Sequence, residues 1–208
     1  TLFLGLVSFK TVAQDTIPKS PVDSLYREDQ FYIGVTYNVP LNLPSGGNIR
    51  GLSGGIQFGF LRDMPINKQR NVAIAIGAND ETIFRVLDGN VGYTRNRFNM
   101  AIIEAPVEFR WRTSTPSSYK FWRVYGGFRV GYAYYYKATF KQSGNTVNQT
   151  KIPEFDPLRL SATLSLGYNT FNFFASYSIN PFFKDAVTID GESVDMRVLK
   201  VGLLFYIL

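Results

Sequence analysis

Two carboxylates, Glu104 and Glu108, stand four residues apart in a segment whose alternate residues are apolar. In an extended strand, positions i and i+4 share a face, two pleats apart. Such a pair can divide acid and base roles in catalysis. It can equally form the anionic part of a buried network with Arg110, Arg123, Arg129, Arg159 and Lys200. The composition favours the network. The chain of 208 residues has no His and no Cys. That removes histidine-based triads, thiolate nucleophiles, disulfides and the commonest zinc ligands. Asp185, Asp190, Glu192 and Asp195 offer oxygen atoms to Ca²⁺, but their spacing fits no calcium loop. No catalytic, metal or cofactor-binding residue and no small-molecule substrate is expected. The net charge of +6 comes from Lys and Arg scattered along the chain, not gathered in runs, so nucleic acid is not an expected partner.

The segments that carry these residues alternate with period 2 and show little helical periodicity. Eight strands are expected: Gln30–Val39, Arg50–Arg62, Asn71–Ala78, Arg97–Arg112, Phe121–Lys137, Leu158–Asn169, Phe171–Asn180 and Met196–Leu208. In the fourth, Ala101, Ile103, Ala105, Val107, Phe109 and Trp111 make one face, and Glu104, Glu108, Arg110 and Arg112 the other. In the fifth, Trp122, Val124, Phe128, Val130, Tyr132, Tyr134 and Tyr136 oppose Arg123, Gly127, Arg129 and Gly131. The third segment breaks off at Gly77-Ala78-Asn79-Asp80. Either part of the Asn79–Asn96 loop continues that strand, or residues are absent there.

Alternation alone does not say which face is inside. The polar face is mostly small residues interrupted by Arg and Glu, whereas a solvated exterior would carry many long Lys and Glu side chains. The apolar face is richest in aromatics near strand ends, at Trp111, Trp122, Tyr134, Tyr136 and Tyr168. Aromatics make up 16% of the chain, with 18 Phe and 13 Tyr. This is the girdle pattern of a barrel with its apolar face in lipid. Mean hydropathy stays near neutral because only alternate residues face lipid, and no internal stretch approaches a membrane-spanning helix.

The fold expected is therefore all-β: an eight-stranded antiparallel transmembrane barrel, an up-and-down meander over residues 30–208. Eight strands leave room only for side chains inside. The seven charged residues named above should then pair across the lumen. Residues 1–14 read as a clipped export signal, an apolar run ending at Val12-Ala13-Gln14. Residues 15–29, with Pro18 and Pro21, read as a periplasmic tether. An even strand count puts both termini in the periplasm. The shorter connections, Asp63–Arg70, Thr113–Lys120 and Asn169-Thr170, then face the periplasm. The longer ones, Pro40–Ile49, Asn79–Asn96, Ala138–Pro157 and Pro181–Asp195, face the cell surface. Asp63–Arg70 exceeds a minimal turn, and its Met64 and Ile66 are candidate docking residues for a periplasmic or outer-membrane protein partner.

The strand Ile103-Glu104-Ala105-Pro106-Val107-Glu108-Phe109-Arg110 resembles the "lEiPlllk" signature of PorT-like outer-membrane barrels of Bacteroidota. Tyr125-Gly126-Gly127-Phe128-Arg129-Val130-Gly131-Tyr132 is similar to that family's next strand. Val201-Gly202-Leu203-Leu204-Phe205-Tyr206 is similar to its closing strand. The resemblance runs from Gln30 to the end. It implies a barrel in the outer membrane in contact with lipid. It further implies a role as a non-catalytic accessory subunit of a larger assembly, with type IX secretion as the founding member's setting. The other expectation is a stand-alone structural or adhesive barrel that presents its surface loops.

Overall fold

The computed structural model describes residues 29–43, 47–48, 53–86, 88–89, 95–113, 121–142, 145–184, 188–189, 192–193 and 195–207. The expected export signal lies outside the described residues, as does the tether except for Asp29. Eight long strands form the body: β1 (Gln30–Leu41), β2 (Gly54–Pro65), β3 (Val72–Val86), β4 (Arg95–Arg112), β5 (Trp122–Gln142), β6 (Leu158–Tyr168), β7 (Phe171–Ser178) and β8 (Arg197–Ile207). Each pairs antiparallel with the next in sequence. β8 returns to pair with β1, from Phe31 opposite Ile207 to Leu41 opposite Arg197, and closes the ring. Closure satisfies the edge strands that a sheet surrounded by lipid cannot leave open.

Of the two alternatives at Gly77–Asp80, continuation of the strand into the Asn79–Asn96 segment holds. β3 continues through Asp80 to Val86, with ladder partners on β2 and β4 (Phe84 opposite Gly54, Val86 opposite Arg97). The polar run Asn79–Thr82 hid a strand held by its two neighbours. The turn expected over Asp63–Arg70 is shorter than its sequence suggested, because β2 runs on to Pro65. What remains is held by Asn67, whose carbonyl accepts from Arg70 N at 3.0 Å and whose side chain accepts from Val72 N at 3.1 Å. The expected Ala138–Pro157 loop is partly strand: β5 extends to Gln142 and folds back on Asn145–Gln149.

A second correction concerns Tyr136. The β4–β5 register shifts between Ala101 and Ile102: Ile102 opposes Ala133, but Ala101 opposes Tyr135. β5 thus carries one extra residue, a bulge that reverses the facing of everything beyond it. Tyr134 and Tyr135 both point outward. Tyr136, expected beside Tyr132 and Tyr134 in the girdle, instead turns inward against Phe155, ring centroids 4.5 Å apart.

The burial pattern is inverted relative to a soluble protein. The outward row of β1 is Phe31, Ile33, Val35 and Tyr37, all exposed, while Gln30, Tyr32, Thr36 and Asn38 are buried. On β5 Trp122, Phe128, Val130 and Tyr132 face out, and Arg123, Tyr125 and Arg129 face in. Exposed Trp and Tyr gather at two levels: Trp111, Trp122 and Tyr168 towards the short turns, and Tyr37, Tyr132, Tyr134, Tyr135 and Tyr177 towards the other end. From Trp122 to Tyr132 is roughly 33 Å along a strand, or about 25 Å of height at a tilt near 40°, which matches the apolar band of a membrane barrel. Among the described outward residues of β1 and β4–β8 between these levels none is charged, while the outward row of β2 carries Arg62.

Val107 lies within this band, registered with Phe128. Val107→Arg is expected to destabilise the lipid-embedded barrel by about 2–4 kcal/mol, and Trp111→Arg, at the girdle, by about 0–1 kcal/mol for its charge alone. Equilibrium unfolding by urea from lipid vesicles checks the difference.

Candidate functional site

The inward row of β4 is Met100, Ile102, Glu104, Pro106, Glu108, Arg110 and Arg112, all buried. The facing row of β5 is Arg123, Tyr125, Gly127, Arg129, Gly131 and Ala133. The register sets Glu108 opposite Gly127, Pro106 opposite Arg129, and Glu104 opposite Gly131. Each glutamate therefore faces a residue with no side chain, and the arginine between them faces a proline. The room is needed. A Cβ at Gly127 would lie 2.1 Å from the Val107 carbonyl oxygen, and one at Gly131 would lie 2.8 Å from Glu104 Cγ.

Arg129 spans the two acids, with Nη1 3.4 Å from Glu104 Oε2 and Nη2 4.0 Å from Glu108 Oε1. Its Nη1 also donates to Gln57 Oε1 at 2.7 Å. Glu108 Oε2 meets Arg110 Nε at 3.3 Å. Arg110 Nη1 lies 3.5 Å from Asp63 Oδ1, and Asp63 Oδ2 accepts from Arg112 Nη2 at 2.8 Å. Arg112 Nε donates to the Arg70 carbonyl at 3.1 Å, which ties the ladder to the β2–β3 turn. The result is one alternating line of charge: Glu104, Arg129, Glu108, Arg110, Asp63, Arg112. Acids and bases at such spacing hold one another without bulk water.

The structure places all seven residues named from sequence inside the barrel, none more than 5% exposed. It brings Glu104, Glu108, Arg110 and Arg129 into the ladder. Arg159 lies apart from it. Arg123 stacks over Phe121 at 4.3 Å. Lys200 is registered between Asn38 and Ser176. Arg159 sits at the far end, over Phe182 at 4.6 Å and Phe155 at 5.4 Å, and donates to the Asp156 and Pro181 carbonyls. Sequence reasoning missed Asp63 and Gln57 and left Arg112 out of the set. Asp63 was assigned to a turn, yet the inward parity of β2 (Gln57, Leu61, Asp63) carries the signal.

Phe155 and Phe182 close the end beyond Arg159. The connections that carry them are pinned together: Asp156 N donates to Phe182 O at 3.0 Å, and Phe182 N to Met196 O at 2.9 Å. With Met100, Ile102, Met196 and Val198 they form a buried apolar layer. Glu104 and Glu108 are thus engaged by guanidinium groups and shut away from solvent. The arrangement holds charge; it does not present an acid and a base to a substrate.

Of the acidic residues weighed for Ca²⁺, Asp195 pairs with Arg197 Nε at 2.9 Å and accepts from Asn42 Nδ2 at 3.3 Å. Asp185, Asp190 and the Glu192 side chain lie outside the described residues. Among the described residues no group of His, Cys, Asp or Glu is arranged to hold a metal ion. Met64, exposed, ends the outward row of β2 on the turn side of Arg62. Ile66, also exposed, stands in the turn itself.

Arg129→Met removes the central cation and leaves two buried carboxylates without it. A loss of about 3–5 kcal/mol in unfolding free energy is expected. Adding Glu104→Gln restores the charge balance of the remaining line Glu108, Arg110, Asp63 and Arg112 and should recover most of that loss, as measured by the same denaturation.

Two solved structures of Ail, the attachment invasion locus protein of Yersinia pestis, are similar to this chain. One is 17% identical with a TM-score of 0.45, covering 86% of this chain and 96% of Ail. The other, in complex with the heparin analogue sucrose octasulfate, is 16% identical with a TM-score of 0.46, covering 86% and 97%. No curated protein matches. The model of the outer membrane protein beta-barrel domain matches residues 12–184. With most of its length matched and its strands closed in a ring, the chain belongs to this family of outer-membrane β-barrels.

Proposed function

We propose that this barrel is a non-catalytic accessory subunit of a larger outer-membrane assembly. The observation that carries the reading is the filled interior. The ladder from Glu104 to Arg112, the stacked arginines and the Phe155–Phe182 layer take up the lumen. Transport through the lumen and catalysis within it are then disfavoured, and the work falls to the outer surface. The partners are membrane lipid and other outer-membrane or periplasmic proteins, met by the wall and by Met64 and Ile66 at the β2–β3 turn. In this reading both termini and the short turns face the periplasm, and residues 1–14 are an export signal. The Glu104-Ala105-Pro106-Val107-Glu108 strand supports a finer placement among PorT-like barrels, with protein secretion of the type IX kind as the corresponding setting.

A second reading is a stand-alone structural or adhesive barrel. It is favoured by β4 and β5, which continue past the Tyr132 level and with Asn145–Gln149 present an exposed hairpin beyond the wall. The two are separated by solubilising native membranes in mild detergent and recovering the chain through a tag in a surface loop. The accessory reading expects a larger outer-membrane protein in stoichiometric yield, and a fall of about tenfold with Ile66→Asp, the effect of one interface anchor. Recovery of the barrel alone contradicts it and favours the adhesive reading.

A further inference from the structure

We infer that the outer wall carries a site for one zwitterionic phospholipid, spanning the groove between β1 and β4 and the ion pair below it. The groove is about 370 Å³ and is lined by Phe31, Phe58, Gly59, Phe60, Ala78 and Ile103. That volume falls within the range of small-ligand pockets. It exists because Ala78 is the registered partner of Phe60 on β3 and leaves open space beside the ring. The Phe31 and Phe60 rings close its lower edge, with centroids 4.8 Å apart. The groove opens onto the apolar band, so its natural occupant is a hydrocarbon chain.

The headgroup end is set by charge. Gln30 pairs with Leu61, and Phe31 with Phe60. The next same-face pair below Phe31 and Phe60 is therefore Asp29 and Arg62, about 7 Å further along the strands. Arg62 Nη1 lies 3.3 Å from Asp29 Oδ2, and Arg62 stays largely exposed. Asp29 is fixed in place, since its Oδ1 accepts from Asp63 N at 3.0 Å. A cation on the lipid-facing wall belongs at headgroup depth. Here it stands beside an anion directly under an acyl groove. Phosphate matches Arg62 and ammonium matches Asp29, which selects a zwitterionic ethanolamine headgroup over an anionic glycerol one. The inference rests on the reading that the short turns are periplasmic, the side where the leaflet is phospholipid.

The test uses the full barrel reconstituted in vesicles of phosphatidylethanolamine and phosphatidylglycerol in equal amounts, with lipopolysaccharide added in a second set. After extraction in mild detergent, native mass spectrometry reads the lipid retained, and heat-modifiable gel migration confirms that each variant is folded. One retained phosphatidylethanolamine is expected on the unmodified chain, and none on Ala78→Phe, which fills the groove from an outward position. Arg62→Gln and Asp29→Asn should each lower the preference for ethanolamine over glycerol about tenfold, the effect of one charge-assisted hydrogen bond. Equal lipid retention by the unmodified chain and Ala78→Phe would overturn the groove site. A dimer mass abolished by Ala78→Phe would assign the groove to a second copy instead. Lipopolysaccharide retained in place of phospholipid would overturn the inference through its orientation, leaving the accessory reading to the partner recovery.

Discussion

A guanidinium taken out of water needs acceptors, and the fold depends on supplying them inside a ring of strands whose exterior is given over to hydrocarbon. Glu104 and Glu108 flank Arg129 across the β4–β5 seam, and Asp63 joins Arg110 to Arg112 below them. The Glu-x-Pro-x-Glu row on one strand needs the Gly-x-Arg-x-Gly row on the next. Any larger residue at Gly127 or Gly131 would meet the neighbouring backbone or the Glu104 side chain. Local sequence and long-range electrostatics are therefore one constraint. Shifting the β4–β5 register by one residue would turn the ladder into lipid and the apolar row into the lumen.

The buried arginines also meet aromatic rings. Arg123 and Arg159 lie over aromatic rings, as do Arg110 over Tyr125 at 4.6 Å and Arg129 over Phe174 at 4.7 Å. Inward aromatics thus serve a purpose distinct from outward ones. Tyr125 and Phe174 fill the lumen and face cations, whereas Trp122 and Tyr132 mark the two membrane levels. Tyr136 shows how a single bulge moves a residue from the second role to the first.

Much of this was legible in the sequence because a barrel strand has a strict period of two. All eight strands follow from alternation, and the inward facing of Glu104, Glu108, Arg129 and Lys200 follows from the small residues that share their face and the aromatics that end the opposite one. The failures have physical causes. β3 was cut short because its extension carries Asn79, Asp80 and Glu81, a composition that reads as loop, while its ladder partners hold it as strand. Asp63 was placed in a turn because it follows Arg62 and precedes a Met-Pro pair, although its inward parity puts it in the ladder. The bulge at Tyr134 leaves no signal in a run of three tyrosines. The Asp29–Arg62 pair was invisible because the two residues meet only through the β1–β2 register.

The central claim is that polar residues fill the interior and apolar residues face lipid. The chain has no cysteine, so single cysteines can carry spin labels at Val124, Phe128 and Val130 and at Tyr125, Arg129 and Ala133 on β5, in lipid vesicles. The account expects labels at the first three to collide freely with lipid-dissolved oxygen and rarely with a water-soluble nickel chelate. Labels at the second three should be shielded from oxygen, giving a period of two along the strand. Water-soluble collisions at Val124, Phe128 and Val130, or no alternation between the two sets, would contradict it.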